Sequence, residues 1–123
     1  MSKASELIKL VEQESDFQHA LMDFVADSQK KIDDNFAKNY DNLAPSKLRV
    51  KGGPKYSHII SVMMGVKDDP KPGQESSWAL VDRQTGDVFK PAGYGRPAKH
   101  ARANVFNPES WSTVTSYGPA YLR

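Results

Sequence analysis

Apolar residues recur at helical spacing through the first third of the chain and nearly alternate with polar ones after it. Leu7, Leu10, Val11, Phe17, Leu21, Phe24, Val25, Ile32, Phe36 and Tyr40 fall on one side of a helix drawn over residues 3–43, and the opposite side is polar. No proline interrupts this run. Ser15 with Gln18 fits a capping box, so a break and restart near Ser15 is expected. Asn42 and Pro45 are stop signals. The plain reading of the stripe is a packing surface, for the core or for a partner helix. A membrane-surface helix would carry Lys and Arg on its polar face, and this face is acidic.

From Pro45 onward the period shortens. Leu48 to Lys51 alternates and predicts a short strand, ended by Gly52-Gly53-Pro54. Tyr56 to Val66 is rich in β-branched and large apolar residues and predicts a central, mostly buried strand. Residues 67–73 form an exposed loop by composition. Ser77 to Asp82 is the next strand, Arg83 to Gly86 a turn, and Asp87 to Lys90 the returning hairpin arm. A basic stretch rich in Gly and Pro runs from Pro91 to Asn104. Trp111 to Thr115 offers a last short strand, and Gly118-Pro119 marks a turn. The expected fold is α+β: a long N-terminal helical segment, then a small antiparallel β core with a short helix after Pro97. It reads as one domain, with 1–45 serving packing or assembly and 46–123 forming a ligand-binding core.

Composition narrows the function classes. The chain has 123 residues, of which 38% are hydrophobic, enough for one thin core. A thin core favours an oligomer, in which partner chains bury what one chain cannot. There is no cysteine, which excludes disulfides, zinc–thiolate sites, iron–sulfur clusters and cysteine nucleophiles. No apolar run approaches the roughly 18 residues of a membrane span, and the N-terminus lacks the apolar core of a secretory signal. A cytoplasmic protein with no membrane partner is therefore expected.

The net charge of +2 hides an asymmetry. Residues 1–45 hold 5 Lys/Arg against 9 Asp/Glu, a balance of −4; residues 46–123 hold 12 against 6, a balance of +6. The basic half is the candidate for an anionic partner. Within it, residues 88–108 contain Lys90, Arg96, Lys99, His100 and Arg102 and no acid at all. Gly93 and Gly95 let backbone approach a ligand closely. Pro97 suits the first position of a short helix, with Ala98 to Ala103 as its turns, and a helix start favours anions. Tyr94 adds a ring for stacking beside the cations, a combination that suits a nucleotide. The competing reading is a solvated basic loop in which Gly-Tyr-Gly is only a tight turn.

Enzyme signatures are sparse. The Gly-x-Gly lacks the third glycine of a dinucleotide fold, and no Gly-Lys-Ser/Thr follows it. There is no nucleophile elbow and no His-Glu-x-x-His. His19, His58 and His100 lack metal-ligand spacing. His19 reads as a helix-surface residue and His58 as a strand residue of the core. His100, between Lys99 and Arg102, is the histidine best placed to hydrogen-bond a ligand. No catalytic residue, metal ligand or cofactor is expected.

The stretch from Val81 to Phe106 contains Thr85-Gly86-Asp87-Val88, then Lys90-Pro91-Ala92, an aromatic, Pro97-Ala98-Lys99-His100-Ala101-Arg102 and Asn104. It resembles a run in small tailed-phage proteins of unassigned role, and is similar to the phage anti-Thoeris sponge family, the first Thoeris anti-defence type. The ending, Tyr117 to Arg123, is similar too. The likeness covers residues 76–123 well and the N-terminal helix only loosely. It implies a non-enzymatic, oligomeric protein, in the cytoplasm of an infected bacterial host. Such a protein sequesters a cyclic ADP-ribose-type or other cyclic nucleotide immune signal in pockets between subunits. By motif, Tyr94 takes the stacking position, where relatives often carry Trp or Phe. Asn104 takes a polar contact and Arg123 a phosphate contact. With Arg96, Lys99, His100 and Arg102 these make the expected ligand set. Other classes compete: a nucleic-acid binder using the basic 90–104 segment, a blocker of a host protein acting through the acidic helix, and a hydrolase lacking a visible base.

Overall fold

The chain's computed structural model describes residues 3–93 and 96–119. The apolar stripe builds a single helix, α1 (Lys3–Asn39), about 55 Å long at 1.5 Å per residue. Only its later part meets the rest of the molecule. Phe17, Leu21, Phe24, Val25 and Ile32 are buried, whereas Leu7, Ile8, Leu10 and Val11 are exposed. The residues before Glu14 thus form an arm of about 16 Å that continues the core-facing stripe beyond the body.

The expected break at Ser15 does not occur. The Gln18 amide donates to the Glu14 carboxylate one turn earlier (3.0 Å) rather than closing a box on Ser15. Glu14 in turn accepts from the Arg83 guanidinium (2.5 Å), which ties the helix to the body at that level. The helix ends at Asn39, short of Asn42 and Pro45. Beyond it the chain bonds elsewhere: the Ala44 amide donates to the Gly65 carbonyl (2.9 Å), and the Lys67 amide to the Asn42 carbonyl (3.0 Å).

The alternating segments form a meander: β1 (Lys47–Lys51), β2 (Tyr56–Val62), β3 (Glu75–Asp82) and β4 (Asp87–Phe89). A two-residue strand follows after two intervening elements. In chain order these short pieces are β5 (Pro91–Gly93), β6 (Arg96–Pro97) and β7 (Ala103–Asn104). The sheet order is β1-β2-β3-β4-β7, with every pairing antiparallel. Strand β2 is shorter than the expected 56–66, ending at Val62. The register slips between Ile59 and Ile60, where Trp78 is the extra residue on β3. A bulge lets neighbouring residues share a face. That is how Trp78 and Ala79 both join the core under α1, with Ile59, Val81 and Val88. The edge strand β1 exposes Lys47, Arg49 and Lys51 at alternate positions, charges that discourage further strand pairing. Arg49 reaches across β2 to grip Glu75 with two hydrogen bonds (3.1 and 2.7 Å). That grip holds the Glu75 carboxyl below the usual range.

The short helix expected after Pro97 is absent. Pro97 lies in β6, paired with Pro91. The Ala98 amide returns to the Lys90 carbonyl and the Arg102 amide to the Val88 carbonyl, both at 2.7 Å. His100 takes a positive φ of 69°. Amides drawn back to the preceding strands, and a left-handed residue between them, leave no helical turn. The short helix stands later, as a 3-10 helix over Pro108–Thr113 that carries a proline in its first turn. It absorbs Trp111 from the expected last strand, leaving β8 (Val114–Thr115), which pairs with β9 (Gly118–Pro119). Gly118, expected in a turn, lies in that strand at a φ of 109°.

The C-terminal segment is bound to the helix. Lys31 Nζ donates to the carbonyls of Trp111 (2.7 Å) and Val114 (3.0 Å). Phe24 packs edge-on to Trp111 (5.5 Å between ring centres) and tilted on Trp78 (6.3 Å). Phe24 is fully buried. Phe24→Ala is expected to cost about 3–5 kcal/mol of unfolding free energy. Urea denaturation followed by near-UV circular dichroism of the two tryptophans measures it, and a loss below 1 kcal/mol, roughly a surface-residue effect, would contradict this role.

Candidate functional site

The basic run of the sequence becomes a hairpin and a loop at the far edge of the sheet. Strands β5 and β6 pair at Pro91 with Pro97 and at Gly93 with Arg96. The loop 98–102 then leads into β7, which pairs with β4. Tyr94 and Arg123 lie outside the described residues. Of the remaining expected ligand residues, Arg96, Lys99 and His100 are exposed, whereas Arg102 and Asn104 are half-buried.

Their bonds sort them by role. The Arg102 guanidinium donates to the carbonyls of Lys99 and His100, curling the loop around itself. Arg102 therefore shapes the loop that presents its neighbours. His100 sits at the crest in the left-handed region, a conformation that His tolerates better than most residues but that still costs free energy. Lys90 directs its ammonium to the Pro119 carbonyl at 3.5 Å. Arg96 and Lys99 form no ion pair among the described residues. They are the cations this segment offers outward.

Asn104 is a structural hub. Its amide donates to the Thr85 carbonyl and to Asp87 Oδ1, both at 2.9 Å, and its Oδ1 accepts from the Phe106 amide (2.8 Å). Its backbone carbonyl accepts from Trp111 Nε1 (2.9 Å), and its backbone N–H donates to Ser110 Oγ (2.9 Å). The bond to Phe106 is an Asx turn. The sequence carries its signal, an Asn two residues ahead of the amide it caps and shortly before Asn107-Pro108. Gly86 lies against the same corner with a φ of 78°, and the Phe106 ring stands where a side chain would be, 2.6 Å from an added Cβ. No larger residue fits there.

Two concavities lie away from Arg96, Lys99 and His100. A groove of about 850 Å³ runs between the helical arm and the β3–β4 turn, bordered by Leu10, Glu14, Arg83 and Phe106. A smaller cavity of about 240 Å³ lies under Tyr117, between α1 and the start of β3. Arg96, Lys99 and His100 border neither. Neither concavity was visible in the sequence, because each is walled by residues distant along the chain. No cluster of three or more His, Asp or Glu residues placed to hold a metal ion occurs among the described residues. Among those residues, no helix is long and apolar enough to cross a membrane.

A family of unknown function, DUF7717, matches residues 2–118. The chain belongs to that family. No curated protein and no solved structure matches it. The match spans the helix and the sheet together, so the family is defined by the whole architecture and not by the basic run alone.

The bonding of Asn104 makes a test of its role. Asn104→Asp puts a carboxylate against the Asp87 carboxylate and the Thr85 carbonyl. It is expected to lower the unfolding free energy of the ligand-free protein by about 1–3 kcal/mol. A thermal melt of unchanged midpoint would instead mean that the side chain is free for a ligand.

Proposed function

We propose that the protein binds an anionic cyclic nucleotide signal and holds it without cleaving it, as the likeness to the sponge family implies. The observation that carries this reading is the acid-free run 88–108, with Arg96 and Lys99 exposed and free of ion pairs among the described residues. Guanidinium and ammonium groups suit a phosphate, and Tyr94 suits a base. Sequestration needs affinity and no turnover, so no general base is required. The cytoplasm of an infected bacterium is where such a signal would be met.

Among the described residues of one chain, Arg96, Lys99 and His100 are exposed to water. An open surface leaves phosphate contacts in water, where they are weak. A second chain closing over the segment would exclude that water. We therefore include a homo-oligomer in the proposal. The helical arm supports it: Leu7, Leu10 and Val11 are more than half exposed on one continuous stripe. An unsupported arm of this length is marginal as a free helix. Multi-angle light scattering at micromolar concentration is expected to give an oligomer, and Leu7→Gln with Val11→Gln a smaller species. A wild-type monomer would remove assembly from the reading.

The decisive experiment is a thermal-shift panel of cyclic ADP-ribose isomers, cyclic di- and trinucleotides, ADP-ribose and short single-stranded DNA. The expected result is a large shift with one cyclic nucleotide, which mass spectrometry recovers unchanged after heat release. Arg96→Glu and Lys99→Glu are each expected to weaken binding at least about tenfold, equivalent to 1.4 kcal/mol. A shift with DNA alone, fading with salt, would replace this reading with nucleic-acid binding through 90–104. Recovery of a cleaved product would replace it with hydrolysis.

A further inference from the structure

The sheet has a second face. Both helices pack against the first, where Ile59, Ala79, Val81 and Val88 share a core with α1 and with Trp111 of the 3-10 helix. Residues directly opposite in an antiparallel pair share a face, and so do alternate residues of one strand. The register therefore sets Lys51, His58, Leu80 and Phe89 in one row across four strands, turned away from both helices. Tyr56 lies on the same face two residues before His58, opposite Asp82.

This face makes its own cover. Tyr56 belongs to β2 and Phe89 to β4, strands about 10 Å apart at the usual spacing. Their ring centres nevertheless stand 6.3 Å apart, edge to face. Both rings thus lean over β3, and Leu80 between them is fully buried although both helices lie on the other side. The rings themselves are only half-buried, so they keep surface for another flat group. The acids of this face are engaged: Glu75 by Arg49, and Asp82 Oδ1 by the amides of Gln84 and Thr85. Lys51 and Lys55 are exposed and form no ion pair among the described residues. Lys55 holds its Nζ 5.4 Å from the Tyr56 ring centre. Rings and uncompensated cations therefore stand together at the Tyr56 end of the sheet.

We propose that this face docks single-stranded nucleic acid, with bases on the Tyr56–Phe89 platform and phosphates on Lys51 and Lys55. Charge and shape together select that occupant. Base–aromatic stacking beside a cationic border is how single strands are held without sequence preference. A duplex keeps its bases stacked inside and offers the rings nothing. An acidic protein would meet the lysines but brings no series of flat groups to the rings. Lys47 stands on the same face of the edge strand β1 and extends the cationic border along the sheet. The cations of the 90–104 segment take no part, so this proposal and the anionic-ligand reading stand or fall separately.

The test is fluorescence anisotropy of end-labelled oligothymidylate and oligouridylate titrated with the full chain at several salt concentrations. Each probe has about ten nucleotides, within the roughly 4–16 that a single-strand-binding sheet holds, and a duplex of equal length runs beside them. Saturable binding of at least one single strand, tighter than that of the duplex, is expected. The tighter of the two strands identifies DNA or RNA as the source. Tyr56→Leu keeps an apolar cover on Leu80 but removes the ring, and is expected to weaken single-strand binding about tenfold, the share of one stacked base. Lys51→Ala is expected to lower the slope of log affinity against log salt by about 0.7, the value of one phosphate contact on a single strand. Lys51 is exposed, so its variant remains decisive if Tyr56→Leu fails to keep the wild-type melting midpoint. No saturable binding at low salt would overturn the proposal, as would a duplex held as tightly as a single strand. Wild-type affinity in a folded Tyr56→Leu protein would reduce the surface to a charge contact and overturn it too. Binding that both variants leave intact would place the nucleic acid on the 90–104 segment instead.

Discussion

The contact on which the rest depends is Phe24 between two tryptophans. Phe24 belongs to α1, Trp78 to the bulged strand β3, and Trp111 to the 3-10 helix. One ring therefore joins the helix, the sheet and the C-terminal segment. Aromatic pairs in tilted and edge-on geometry add about 0.5–1.5 kcal/mol each beyond area burial. In a chain with so thin a core that is a sizeable share of the whole stability. Lys31 fastens the same junction from one face by donating to the carbonyls of Trp111 and Val114. Trp111 then passes the constraint on, because its Nε1 bonds the Asn104 carbonyl.

From Asn104 the constraint reaches the basic segment. Asn104 closes the corner between the β3–β4 turn and β7, and Val88 on β4 receives the Arg102 amide. The loop that carries Lys99 and His100 is thus anchored at Arg102 and at Ala98, whose amide bonds Lys90. A ligand surface fixed at both ends loses little freedom on binding, which is the condition for tight sequestration on the proposed reading. The positive φ of His100 fits this picture, since a strained crest persists only where its surroundings hold it.

Periodicity made the helix and the first four strands legible, because those elements are long enough for a pattern to repeat. Three features escaped it. The helix runs through Ser15 because Gln18 bonds Glu14 one turn earlier and closes no capping box there. The helix expected after Pro97 failed because proline marks a permitted start and not an obligatory one; the backbone amides found strand partners instead. The resemblance gives Asn104 a ligand contact, and periodicity does not show that its side chain bonds Thr85, Asp87 and Phe106. Tyr94 and Arg123 lie outside the described residues, so the stacking and phosphate positions rest on the likeness alone. The cavity beneath Tyr117 was illegible for a different reason. Isolated serines in strands read as solvated faces, and only the register of β2 against β3 and the packing of α1 gather them.

The same helix poses opposite problems at its two ends. Toward Asn39 the stripe is used up by the sheet, and the residues left over, Asn35 and Tyr40, are polar and meet Tyr117. Toward Lys3 the stripe outruns the sheet, and Leu7, Leu10 and Val11 remain in water. Burying three such side chains is worth about 1.5–3 kcal/mol each. A fold that extends its core stripe by three further turns gains nothing from it within one chain. The apolar spacing stays regular where no described residue of the same chain covers it, which is the observation the proposed assembly accounts for.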